Sequence, residues 1–194
     1  VVISGGERIA VKEIVSRAAD DGVHLKSEAT FSFPYPEETT PQQWPIGMPH
    51  VMFCFGAQIA RVEVDPQLGT VDVTHLTAVH DVGRIISRPG VEGQIEGGAA
   101  MGLGYALFES MDLKPDGNWV DGFTEYLIPT TKDMPLHFEN IILEIPEESG
   151  PFGAKGIGEV TVPPTAPAIA NAIYDAIGVR VTSLPLTPEK LIHV

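Results

Sequence analysis

The sequence predicts an α+β chain in which helices are mixed with β-hairpins. Three patterns carry that expectation. Apolar residues recur at helical spacing over 7–20 and 168–177. Residues 50–64 and 70–80 alternate at period two around a turn. A glycine-rich stretch over 91–109, nearly uncharged from Gly97 to Phe108, reads as a third, buried helix.

In chain order, Val11, Ile14, Val15 and Ala18 define one helical face, and Asp21-Gly22 stops it. Residues 24–33 alternate loosely and are expected to form a strand. Residues 33–49 are a proline-punctuated loop whose length suits a segment covering a site or a partner chain. In the hairpin, Val62 and Val64 alternate with Arg61 and Glu63, and Val71 and Val73 with Thr70, Asp72 and Thr74. Asp65-Pro-Gln-Leu-Gly69 supplies the turn chemistry between them.

The helix over 91–109 contains five glycines. Each costs about 1 kcal/mol relative to alanine at an exposed helical position, so close approach of a backbone or ligand is the expected compensation. Gln94 and Glu96 bring polar groups to its start. Strands are expected over 119–128, 136–145 and 179–184, with Ile141, Ile142, Leu143 and Ile145 mostly buried. Ile169, Ala172, Ile173 and Ala176 form a helical face that Gly178 ends. Thr187-Pro-Glu-Lys190 reads as an N-cap followed by proline in the first turn.

Composition narrows the function. The chain has 194 residues, 43% of them hydrophobic and 20% charged, which suits a packed globular core. A formal net charge of −14 leaves no basic surface for nucleic acid or an anionic membrane. No apolar run is long enough to span a bilayer. The single cysteine, Cys54, permits no internal disulfide and is expected to be a small buried hydrophobe in a reducing, cytoplasmic setting. It also cannot hold an iron–sulfur cluster alone. The six histidines form no close metal-binding pair, and no G-x-S-x-G elbow is present. Val1-Val-Ile-Ser-Gly-Gly has no leader pattern, and the chain reads as a fragment or a processed piece.

The stretch with most chemical potential is Gly150-Pro-Phe-Gly-Ala-Lys-Gly-Ile-Gly-Glu159. Its glycines let a backbone lie close to a flat or charged group. Lys155 and the amides after it are expected to offer donors to an anion, with Glu159 at the mouth. It is not a P-loop, because Gly156 follows Lys155, and not a dinucleotide fingerprint, because Thr161 stands at the third glycine position. The alternative is a tight strand-to-helix turn with Glu159 as a first-turn acid.

Three segments in order then resemble one family. They are Asp81-Val-Gly-Arg84 with Val91-Glu-Gly-Gln-Ile-Glu-Gly98, Glu125-Tyr-Leu-Ile-Pro-Thr130, and Gly153-Ala-Lys-Gly-Ile-Gly-Glu159. Together with the tail from Pro163-Pro to Leu191 they are similar to the C-terminal part of the molybdenum hydroxylases, the xanthine dehydrogenase and aldehyde oxidase family. Ser87 departs from the family's frequent Asn before proline. The resemblance implies that 1–194 is the C-terminal portion of a molybdopterin-binding domain, α+β in class. It implies Glu159 as the catalytic general base on a molybdenum-bound hydroxide. It places Gly153, Ala154, Lys155, Gly156, Ile157, Gly158 and Gln94 at the molybdenum–molybdopterin cofactor. The substrate class it implies is a purine- or nicotinate-like heteroaromatic ring or an aldehyde. It further implies partners: the rest of the large subunit, [2Fe–2S] clusters and FAD on other chains or domains, and a small-molecule substrate. Residues that complete the site are expected on other polypeptide, so the enzyme is expected to be heteromeric. Two competing readings are a non-catalytic assembly module of such a complex and an anion-binding domain unrelated to molybdenum.

Overall fold

The structure, a computed structural model, describes residues 2–4, 7–30, 32, 52–120 and 122–192. It divides into two compact units, Val1–Phe33 and Pro34–Val194. The expected loop over 33–49 lies outside the described residues.

In the first unit, strands β1 (Val2–Ser4) and β2 (Glu7–Ile9) pair antiparallel and lead into helix α1 (Val11–Asp20). The sequence-based helix over 7–20 is therefore two elements, a strand and then a helix. Gly22 takes a φ of 71° just beyond the helix end, as the stop signal required. The strand expected over 24–33 does not form among the described residues. Its loose alternation finds no partner strand, and residues 24–30 are all exposed.

The second unit is built on a three-stranded sheet in the order β3-β4-β5. Strands β3 (Gly56–Val64) and β4 (Val71–Asp81) form the expected antiparallel hairpin. Asp65 closes its turn by accepting from the amides of Gln67 and Leu68. The register pairs Arg61 with His75 but Val62 with Val73, so Thr74 is an extra residue in β4. This bulge switches which parity faces inward. Val73 is buried before it, and Leu76, Ala78 and His80 after it. Strand β5 (His137–Leu143) pairs parallel to β4 on the other side. It alternates cleanly, so Phe138, Asn140 and Ile142 turn inward while Ile141 and Leu143 face out. The expectation that Ile141, Leu143 and Ile145 are mostly buried is corrected; all three are exposed.

Two helices cover the inner face. Helix α2 (Arg88–Leu107) starts at Ser87, whose hydroxyl accepts from the Gly90 amide. Serine thus performs the capping that an asparagine would, and the departure at this position leaves the helix start intact. Helix α3 (Thr165–Ile177) ends on Gly178 at φ 72°, whose amide donates to Tyr174. Ile95, Leu103, Ile169 and Ile173 are fully enclosed. One core cluster joins Leu103, Ala106, Ile169 and Ile173 to Val73; the other joins Val91 and Ile95 to Ala78 and Val82.

Gly98, Gly102 and Gly104 of α2 are closely approached as expected, whereas Gly93 and Gly97 face open space. A Cβ on Gly98 would stand 1.9 Å from the Thr161 hydroxyl oxygen, and one on Gly102 would stand 2.4 Å from the Thr165 Cβ. Two threonines one helical turn apart therefore fill the places of two missing side chains on α2. What presses against this face of the helix is the chain's own 161–165 segment.

Two further strands are absent among the described residues. Residues 119–128 are turns with one isolated bridge, Leu113 to Trp119. The Glu125 and Tyr126 amides both donate to Gly122, which curls the segment. Tyr126 then donates its hydroxyl proton to Glu109 at the end of α2. Residues 179–184 are irregular and deliver Leu186, whose amide bonds to Ala106, into the core. Helix α4 (Pro188–Ile192) follows Thr187 as predicted and buries Leu191.

Candidate functional site

The glycine loop crosses the end of β4 where α2 begins. Pro151–Gly153 form a short 3-10 turn, Ala154 bridges to Gly83, and residues 158–161 turn again. Helix α3 starts only at Thr165, so Glu159 sits in an exposed turn. The alternative placing it in a first helical turn is excluded.

The crossing is very close. Gly83 has φ 61°, and a Cβ there would meet the Gly153 carbonyl oxygen at 2.3 Å. The Gly153 carbonyl accepts from Arg84 and from Glu147, and the Lys155 amide donates to Val82. Gly153, at φ 85°, is therefore a backbone junction.

Beneath the loop lies a buried ion pair that sequence reading missed. Lys155 Nζ donates to Asp81, and their side chains are only 6% and 3% exposed. Asp81 also accepts from the amides of Gly83 and Ile145. Burial pushes the Asp81 carboxyl upward, but the Lys155 bond, the two amides and the lysine's charge together hold it below the usual range. The ammonium expected to meet an external anion is thus neutralised within the chain. No spacing signal links these residues, which are 74 positions apart; the only clues were a carboxylate ending a strand and one lysine among glycines.

Above the pair is a cleft of about 340 Å³, lined by residues that include Arg84, Ser87, Gly90, Gln94, Ala154, Lys155 and Ile157. The structure therefore brings Gln94 together with Ala154, Lys155 and Ile157. A Cβ on Gly158 would lie 3.6 Å from Gln94 Oε1, whereas Gly153, Gly156 and Glu159 are not among the residues that line the cleft. A Cβ on Gly156 would meet nothing within 4 Å. Gln94 and Glu96 are exposed, and Glu96 accepts from Asn140. The Glu159 carboxylate has no hydrogen bond or ion pair among the described residues. Arg84 is exposed at the cleft and carries the positive charge that Lys155 cannot offer. The N-terminus of α2, at Ser87 and Gly90, adds a favourable potential for an anion.

Cys54 is half-buried, not fully buried as expected, and its thiol donates to the Gly156 carbonyl at 2.9 Å. Burial is the main cause that pushes its pKa above the ordinary thiol value. Among the described residues no cluster of His, Cys, Asp and Glu could hold a metal ion. No described helix is long and apolar enough to cross a membrane.

Comparison with known proteins gives one consistent answer. A family of molybdopterin cofactor-binding domains matches residues 1–135. A xanthine dehydrogenase molybdenum-binding subunit of Escherichia coli is 38% identical over 71% of this chain and 18% of its own length. The nicotine 6-hydroxylase large subunit of Paenarthrobacter nicotinovorans is 38% identical over 73% of this chain and 18% of its own. The crystal structure of the aldehyde oxidoreductase from Desulfovibrio desulfuricans superposes with a TM-score of 0.64. It is 38% identical and covers 72% of this chain and 15% of that one. The chain spans less than a fifth of the length of each.

Proposed function

The chain belongs to the molybdopterin cofactor-binding domains of the xanthine dehydrogenase- and aldehyde oxidoreductase-like molybdenum enzymes, and we propose that it carries their catalytic base, Glu159. The activity proposed is oxidative hydroxylation of a heteroaromatic or aldehyde carbon, inside a larger cytoplasmic assembly. The rest of the large subunit would complete the site, and iron–sulfur and flavin partners would carry electrons away.

The residues present fit the cofactor. Open space beside Gly156 lets the backbone lie against a flat ring. The exposed Gln94 carboxamide offers both a donor and an acceptor, which the edge of a pterin needs. Arg84 and the start of α2 supply positive potential for a phosphate on the same group. Gly153 and Lys155 contribute by shaping the loop, since their polar groups are spent inside the chain. Ala154 and Ile157 line the cleft, and Gly158 neighbours Gln94. When bound, the molybdenum centre supplies two-electron oxidation of the substrate carbon.

The single observation that carries the reading is the position of Glu159. An exposed carboxylate, with no hydrogen bond or ion pair among the described residues, stands in a turn one residue after Gly158, the glycine that neighbours Gln94. A free carboxylate at that place can take up the proton that an attacking oxygen nucleophile must shed. Removing such a base costs about 10²–10⁴-fold in rate. The Glu159→Gln variant of the assembled enzyme is therefore expected to keep its molybdenum and its subunits while turnover falls by that order. Unchanged turnover with a complete complex would leave the chain as a structural module and overturn the proposal.

A further inference from the structure

The turn that carries Glu159 is gripped by side chains that do not line the cleft. Gln58, on the inward face of β3, donates its carboxamide N–H to the Thr161 carbonyl at 2.9 Å. The same carboxamide accepts from the Thr165 hydroxyl at 2.7 Å, and Thr165 also reaches the Thr161 carbonyl at 3.4 Å. Thr161 and Thr165 are fully buried. Thr161 fills the notch left by Gly98, so the grip cannot slide along α2.

At the other end of the same turn, Cys54 holds the Gly156 carbonyl. Between the carbonyls of residues 156 and 161 the structure gives one further backbone bond, from Val162 to Glu159 at 3.2 Å. Glu159 thus rides on a short span fixed at two points, both by side chains from 54–58.

We propose that Gln58 is a positioning residue for Glu159, a role that rests on reading Glu159 as the base. A carboxamide suits the task because it is donor and acceptor at once and carries no charge into a buried place. The bonds to Thr161 and Thr165 fix each other's geometry, and Nε2 of the same carboxamide also stands 3.5 Å from His80 Nε2 on β4. A displacement of about 1 Å in a reacting group can cost about 10²-fold in rate, so a side chain that never meets substrate can govern turnover.

The test uses Gln58→Met, which keeps the length and removes both bonds. In the assembled enzyme, hydrogen exchange is expected to quicken over residues 157–162 and to stay unchanged in β5. In the assembled enzyme kcat is expected to fall about 100-fold, with KM and molybdenum content unchanged. On a Glu159→Gln background the same change is expected to cost nothing more, because the group it positions is gone. Unaltered exchange over 157–162, or an equal loss in both backgrounds, overturns the proposal. If Gln58→Met does not assemble, Thr165→Val and Thr165→Ser decide the matter. The valine variant should reproduce the loss and the serine variant should not; equal behaviour of the two refutes it. Full turnover in Glu159→Gln alone would sink the assignment of the base, while the exchange result would still report whether Gln58 holds the turn.

Discussion

At position 81 a carboxylate stands between two needs. It must leave water to close the end of β4, and it must neutralise the only lysine in the loop above it. Taking both charges out of water is costly, and breaking such a pair by removing one partner costs about 3–5 kcal/mol. Asp81→Asn is therefore expected to lower stability by that amount at neutral pH, leaving Lys155 buried with no counter-charge. The pH dependence has a definite sign. The folded Asp81 carboxyl lies below its unfolded value, so its contribution is complete above the unfolded value. It is lost as pH falls through the folded one. The gap between wild type and Asp81→Asn should then narrow in acid, below the ordinary aspartate range. Thermal melts from neutral pH down to about pH 3 check this; a gap that stays constant would mean that the pair contributes nothing through its charge.

At the scale of elements, two kinds of glycine in α2 make opposite demands. Gly98 and Gly102 face the buried threonines, whereas a Cβ at Gly93 or Gly97 would meet nothing within 4 Å. Alanine normally stabilises a helix over glycine by about 1 kcal/mol. Gly97→Ala should raise stability by about that amount. Gly98→Ala should lower it by about 1–3 kcal/mol, the usual cost of forcing extra volume into a packed site. Denaturant midpoints of the two variants give the comparison; a common sign would refute the close approach at Gly98. The same helix shows what a single sequence reveals. Its glycines announced a close neighbour, and the alternation of β3 and β4 announced the hairpin, because each pattern is local. The segments 119–128 and 179–184 looked like strands because they are short and apolar. Instead of a ladder, each segment is tied by single hydrogen bonds, Tyr126 to Glu109 just beyond α2 and Leu186 to Ala106, and Trp119, Phe123, Leu127 and Leu184 stay exposed. The glycine loop was legible for the same local reason. Asp81 beneath Lys155, and Gln58 beneath Thr161, were not, because those contacts join residues 74 and 103 positions apart.

At the scale of the whole molecule, acidity and exposed apolar surface oppose each other. The second unit keeps Ile59, Ile141 and Leu143 exposed on the outer face of its sheet, Ile59 at 71%. Cross-strand pairing carries this surface from Ala57 through Val79 to Ile141 in one row. Both outer strands have an unpaired edge within the sheet, a known route to association. Against this stands a net charge of −14, which makes copies of the chain repel. The balance depends on pH. Near the sequence pI of about 4.7 the repulsion vanishes while the apolar rows remain. Light scattering of the isolated chain should therefore show little self-association at neutral pH and low salt. Association should rise sharply as pH approaches 4.7. At neutral pH, salt at about 0.5 M should raise it partway by screening the same charges. Ile59→Lys places a charge at an exposed position on the same face, two residues along β3 from Ala57 of that row. It should suppress association at the pI while leaving the thermal midpoint at neutral pH unchanged. A wild-type chain that stays monodisperse at its pI would show that this face is not adhesive. A Lys variant that associates as readily as wild type would place the contact elsewhere on the molecule.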